Sequence, residues 1–210
     1  MVQAIMSDKN CIFEKIAQEI AKSLSLKHNK EIAYKIIAQN DFCVMLGVCV
    51  EPNRFTASEF SARYFIQPLY IPISYIVLSL GDVIGEWDKT DLQNALSCIQ
   101  QSYEHHLSID DINQIIEMLN NGKLVFYGSL DNRYELLAYS YLVINRYDKA
   151  KHYLKKIVAF ENNENVQWYK TQIERAKRVL QLLSNEQWKG IKEELLIWQK
   201  NTINELHLSV

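Results

Sequence analysis

Two adjacent histidines flanked by acids mark the place in this chain where residue types suit metal or acid–base chemistry. The stretch SYEHHLSIDD holds Glu104, His105, His106, Asp110 and Asp111. Imidazole nitrogens and carboxylates are the usual ligands of hydrolytic metal sites. Neighbouring residues on a helix point in different directions, so only one of the two histidines can join Asp110 or Asp111 in a ligand set. The HxxxH or HxxE spacing that would place two ligands on one face is absent. Asp110 and Asp111 are also explained as acids at the positive end of a helix. Glu104, His106 and Asp110 are the candidate metal set. The catalytic reading is a small metal-dependent hydrolase centred on Glu104, His105, His106 and Asp110.

Other catalytic signatures are missing from the sequence. No GxGxxG or GxxxxGK[ST] phosphate loop and no GxSxG elbow occurs, so no cofactor is expected. Cys11, Cys43, Cys49 and Cys98 show neither CxxC pairing nor zinc-like spacing. On one strand Cys43 and Cys49 would share a face roughly 20 Å apart, too far to bond. Reduced thiols in a cytosolic protein are the expectation. Cys98 or Cys43 beside His105 or His152 is the nucleophile arrangement left open. The polar connection EPNRFTASEF, with Glu51, Arg54 and Glu59, is a candidate for binding something small.

Charge narrows the partner classes. The chain carries 23 basic and 25 acidic residues for a net charge of −2, interspersed along its length. This is no footprint for nucleic acid or anionic lipid. The densest basic run, Lys149, Lys151, Lys155 and Lys156, has the spacing of one wet helix face. The N-terminal segment has acids where an export signal has a basic region, so it reads as a helix in a cytoplasmic protein.

The elements that must position these residues fall into two blocks. Ile12, Phe13, Ile16, Ile20 and Leu24 recur at helical spacing behind a cap at Ser7 or Asp8. EIAYKIIA (31–38) and FCVMLGVCV (42–50) are β-branched and aromatic runs separated by Gln39, Asn40 and Asp41, which predicts a hairpin. GDVIGEW follows as a turn or short strand. Beyond Trp87 the periodicity is helical: 91–106, then 108–119 opened by a capping-box-like Ser108 and stopped at Asn120, Asn121 and Gly122, then helices from Asp131, Asp148, Asn165 and Asn185.

Between the blocks lies YFIQPLYIPISYIVLSL (64–80), seventeen residues without a formal charge. A membrane-crossing helix needs about 20 apolar residues, and Pro68 and Pro72 each remove a helical hydrogen bond. The run is expected to form a strand entering the sheet, a break at Ile71 and Pro72, and a second strand from Ser74 to Leu80. The run is then either core lying under the helices or a sheet edge on which a partner could dock.

The C-terminal helix carries an apolar seam. Trp188, Ile191, Leu195, Trp198 and Thr202 alternate at three and four. It packs either on Trp168, Ile173, Ala176, Leu180 and Leu183 of the preceding helix, or on a protein partner or second copy, for which tryptophan is an apt anchor. Trp188, Ile191, Leu195 and Trp198 are the candidate partner-binding residues.

One helix pair adds a resemblance. YELLAYSYLVINRYDKAKHYLKKIVAF (134–160) resembles a tetratricopeptide unit in Tyr134, Leu137, Ala138, Tyr141, Tyr147, Ala150, Leu154 and Ile157. Asn145 stands where the turn often has glycine, Asn162 where the closing proline is usual, and no second copy is evident. The order FIQPLYIP, GDVIG, LLAYSYLVINRYDKA also looks like a bacterial family of uncharacterised cytosolic proteins, with a small α+β domain before a tetratricopeptide-like tail. That resemblance implies a fold and no chemistry. The expectation is an α+β protein with an N-terminal helix on a mainly antiparallel sheet of about four strands (residues 1–87) and a helical array (88–210). Its expected role is that of a non-enzymatic protein-binding module, of an immunity or antitoxin type by resemblance, without nucleic-acid or membrane partners.

Overall fold

The computed structural model describes residues 2–53, 55–106, 108–160 and 167–209, with side chains from Ile12 onward. The fold is α+β: helix α1 (Val2–Leu24), strands β1 (Lys27–Asn29), β2 (Ile32–Gln39), β3 (Phe42–Pro52), β4 (Glu59–Pro68) and β5 (Gly81–Asp88), then, among the described residues, six helices. These are α2 (Leu92–His106), α3 (Ile112–Asn120), α4 (Leu130–Val143), α5 (Tyr147–Val158), α6 (Gln167–Ser184) and α7 (Trp188–Glu205). The strands lie in chain order in one sheet, and the pairs β1–β2 and β4–β5 are antiparallel.

Two compact units divide the chain. The first comprises Met1–Ile37, Met45–Gln67 and Val77–Asp110; the second comprises Ala38–Val44, Pro68–Ile76 and Asp111–Val210.

The core of the first unit joins one stripe of α1 to the sheet and to α2. Phe13, Ile16, Ala17, Ile20 and Ala21 recur at helical spacing and pack with Ala33, Val48, Val50, Phe60 and Ala62 of the strands and Ala95 and Ile99 of α2. Small residues let the layers close up. A Cβ on Gly47 would come within 2.4 Å of the Ala33 carbonyl and 2.9 Å of the Phe65 ring, so only glycine fits there.

Several expectations are corrected. Helix α1 starts at Val2 and runs through Ser7 and Asp8, whose side chains lie outside the described residues. β1 has no counterpart in the sequence reading, and GDVIGEW forms a full strand whose register with β4 slips at a bulge between Ala62 and Arg63. Asp111, not Ser108, caps α3: its Oδ1 accepts from the Gln114 amide at 2.9 Å.

The second strand expected from Ser74 to Leu80 is absent; only Leu80 bridges to the sheet. Side chains replace the ladder. In the first unit Gln67 Oε1 accepts from the Val77 amide at 2.9 Å. In the second, Thr202 Oγ1 accepts from Ile73 N at 3.3 Å and donates to Ile71 O at 3.0 Å. These three backbone groups, Ile71 O, Ile73 N and Val77 N, are thus satisfied without a strand partner.

In the second unit α4 is the central helix, with Leu136 to Val143 buried without interruption. Its low amphipathicity is what a helix surrounded on all sides should show. The amphipathic α5, α6 and α7 present Ala150, Leu154, Ile157, Ile173, Ala176, Val179, Ile191 and Leu195 to the interior. A left-handed residue closes α4 and α6 alike: Asn145 (φ 58°) and Glu186 (φ 53°). In each turn the next amide reaches back to the carbonyl five residues earlier, Arg146 to Tyr141 at 2.8 Å and Gln187 to Leu182 at 3.0 Å. The chain therefore makes two successive helix hairpins, α4–α5 and α6–α7, with the same cap.

Candidate functional site

An open cleft of about 540 Å³ lies in the second unit. Three short features build it. The β2–β3 turn supplies Asn40 and Asp41, both at positive φ (53° and 74°), the backbone of a type I′ turn. Asn40 Nδ2 donates to the Val143 carbonyl at 3.2 Å, fixing the turn at the C-terminal end of α4. The start of α7 supplies the other wall.

The floor is apolar: Phe42, Leu142, Val143, Ile191 and Leu195. Phe42 is buried and meets Tyr70 edge-on at 5.8 Å. The rim carries Trp188, 42% exposed, stacked on Tyr147 with ring centroids 4.4 Å apart. Tyr147 is held in turn by its hydroxyl, which donates to Asn145 Oδ1 at 2.8 Å. Opposite charges sit beside the rings, Lys192 Nζ at 2.7 Å from Asp41 Oδ2. Both are solvated, and such a pair contributes at most about 1 kcal/mol, so a ligand can exchange it cheaply. An apolar floor of this size with a few oriented polar groups suits a small apolar segment.

The four seam residues are thus divided. Trp188 stands at the cleft mouth, Ile191 and Leu195 are 3% and 1% exposed in its floor, and Trp198 is buried edge-on against Tyr139 at 5.2 Å. Most of the seam is interior packing of the second unit, and what reaches solvent is Trp188.

The histidine cluster of the first unit is not arranged as a ligand set. His106 stacks on Tyr64 at 4.7 Å and meets His105 edge-on at 4.6 Å. Burial, and then His105, push its pKa down, while Asp82 acts the other way. Glu104 accepts from Gln100 within α2. Among the described residues no three His, Cys, Asp or Glu side chains gather where they would hold a metal ion.

The environments of Cys43 and Cys49 disfavour the thiolate. Burial, then Glu51 and Glu31, push the Cys49 thiol up to about 12, and burial raises Cys43. Reactive thiols are lowered instead. Cys98 Sγ lies 3.7 Å from Asn94 Oδ1 on its own helix. Of the loop 51–60, Glu59 accepts from Asn53 and Glu51 lies 3.7 Å from Arg63, while Arg54 falls outside the described residues. Lys149 and Lys156 lie over the rings of Tyr141 and Tyr134, at 5.3 and 4.9 Å. Among the described residues no helix is long and apolar enough to cross a membrane.

The turn residues Asn40 and Asp41 and the floor residue Phe42 were not singled out by sequence reasoning. Their only signal is the polar break between two β runs, which marks a turn without saying what it meets. No family model, curated protein or solved structure matches the chain, so nothing passes to it from a relative.

Proposed function

We propose that the chain is a non-enzymatic protein-binding module that seats an apolar peptide segment of its partner in the cleft floored by Phe42, with Trp188 as the anchor. The observation that carries this reading is the half-exposed Trp188 ring, held flat on Tyr147 at the mouth of an apolar cleft. Rigid aromatics at a cleft edge lose little side-chain entropy on binding and dominate interface energies.

The helical architecture supports the same reading. α4–α5 and α6–α7 share one cap, and the polar contacts between α4 and α6 rise in step. Asp131 meets Tyr169, Glu135 meets Gln172, and Glu135 also meets Arg175. The two helices therefore run parallel, as the first helices of successive hairpins do in tetratricopeptide-like arrays, which serve as binding scaffolds.

The test is affinity capture from the native cell with the wild-type chain, Trp188→Ala and an Ile197→Ala control, followed by titration of the purified partner. Ile197 is exposed on α7 outside the cleft lining. Trp188→Ala is expected to weaken binding at least about tenfold, the scale of a truncated aromatic anchor. Equal affinity of the Trp188 variant, or no partner retained by the wild type, overturns the reading.

A further inference from the structure

A second polar site lies between α4 and α6, away from the cleft lining. Asp131, Glu135 and Gln172 are 2%, 6% and 2% exposed. Glu135 is fully answered: Arg175 Nη2 donates to it at 2.8 Å and Gln172 Nε2 at 3.0 Å. Asp131 is not. Its Oδ1 accepts a long bond of 3.4 Å from the Tyr169 hydroxyl, and its Oδ2 has no partner among the described residues. One turn along α6, Gln172 Nε2 is committed to Asn132 and Glu135, leaving Gln172 Oε1 buried and unpartnered as well.

Two buried acceptors, one of them on a carboxylate with no cationic partner among the described residues, set the chemistry of a ligand here. A neutral donor satisfies the hydrogen bonds but leaves the charge uncompensated, which is costly away from water. A metal ion is disfavoured, since no three of its usual ligands gather among the described residues. A guanidinium prefers both oxygens of one carboxylate, and Asp131 Oδ1 already serves Tyr169. An ammonium has three donors that can each be aimed at a single oxygen, which matches acceptors carried on two separate side chains. Trp168, 46% exposed, stacks at 3.7 Å on Tyr169, the residue whose hydroxyl bonds Asp131, and ring faces attract cations.

We propose that the α4–α6 seam binds one alkylammonium group, through the Asp131 carboxylate and the Gln172 carbonyl beside the Trp168–Tyr169 stack. The group belongs either to a free polyamine or to a lysine side chain of a bound protein; the chemistry recognised is the same. This site is independent of the Phe42 cleft.

The experiment is calorimetric titration of the full chain with n-butylamine, spermidine and the peptide acetyl-Gly-Lys-Gly-amide, against n-butanol and sodium chloride at matched ionic strength. The amines are expected to bind saturably, with a dissociation constant of about 1 mM or tighter, and to raise Tm where the salt control does not. Asp131→Asn, which keeps the shape and removes the charge, is expected to weaken binding at least about tenfold, and Gln172→Leu to weaken it less. Tighter binding of spermidine than of the peptide assigns the site to a free amine, and the reverse assigns it to a partner's lysine. Absence of saturation with every amine overturns the proposal on the wild-type chain alone. Undiminished affinity in Asp131→Asn, or equal binding of n-butanol, overturns it too.

Discussion

Gln199 Oε1 accepts the amide hydrogen of Cys43 at 2.6 Å. The same side chain donates through Nε2 to the Asp41 carbonyl at 3.0 Å, so one amide on α7 answers both backbone groups at the start of β3. Gln199 is 8% exposed. Gln199→Leu keeps most of the volume but strands a buried donor and its neighbouring acceptor, each costing about 1–3 kcal/mol. The expected loss in urea unfolding is about 2–4 kcal/mol. An unchanged midpoint would mean that this contact contributes nothing to stability.

The helix ends allow the opposite change. Ser25, Asn145, Glu186 and His207 all take left-handed backbone angles at helix C-termini, where among the described residues only Gly122 is the residue type that does so without strain. A non-glycine residue there costs about 1–2 kcal/mol, less for asparagine. Part of the gain from glycine is returned as unfolded-state entropy. Glu186→Gly is therefore expected to stabilise by about 0.5–1 kcal/mol, and Asn145→Gly by less. Thermal melts of the two variants check the order. A fall in Tm for Glu186→Gly would show that its side chain holds the α6–α7 turn by contacts that outweigh the strain.

These positions show what local sequence carries. Helices α3 to α7 were legible because Ile112, Ile115, Ile116 and Leu119, or Ile191, Leu195 and Trp198, repeat a period set by the helix itself. The hairpin of β2 and β3 was legible from its β-branched runs and the polar Asn40–Asp41 break. Residues 69–79 were misread because Ile71, Ile73 and Val77 favour strands only where a ladder is on offer, and here distant side chains such as Thr202 serve the backbone instead. Equally hidden was the cleft, since Asn40 and Val143, bonded across it, lie far apart in the chain. Periodicity found the Trp188 seam but not what covers it: that Trp198 meets Tyr139 is a property of the packed unit. The α6–α7 hairpin shares with α4–α5 a backbone cap and not residue types, so their common turn is invisible in the sequence.

His106 gives the first unit a defined response to pH. Burial, and then His105, lower its pKa in the folded chain from the ordinary 6.5. The unfolded chain then binds the proton more readily, so stability falls as pH drops through about 6.5 towards the folded value and is restored above it. His106→Phe keeps a ring on Tyr64 and removes the titration. Between about pH 7.5 and pH 5 the wild-type Tm is expected to fall more than that of the variant. Parallel pH profiles for the two proteins would assign the response to other groups.

The surroundings of the thiols set their order of reaction. Alkylation requires the thiolate, and with Cys49 pushed to about 12 that form is scarce at neutral pH. Cys43 is raised by burial as well, while Cys98 is half-buried on α2. Iodoacetamide at about pH 8, followed by peptide mapping, is expected to label Cys98 before Cys43 and Cys49. Cys49 should lag by on the order of a hundredfold in the folded chain, and the gap should close in denaturant. The closing of the gap separates environment from intrinsic reactivity, because only folding places Glu31 and Glu51 where they disfavour a second negative charge. Rapid native labelling of Cys49 would show that β3 opens faster than the reagent reacts, and would move that strand to the low-stability end of the unit.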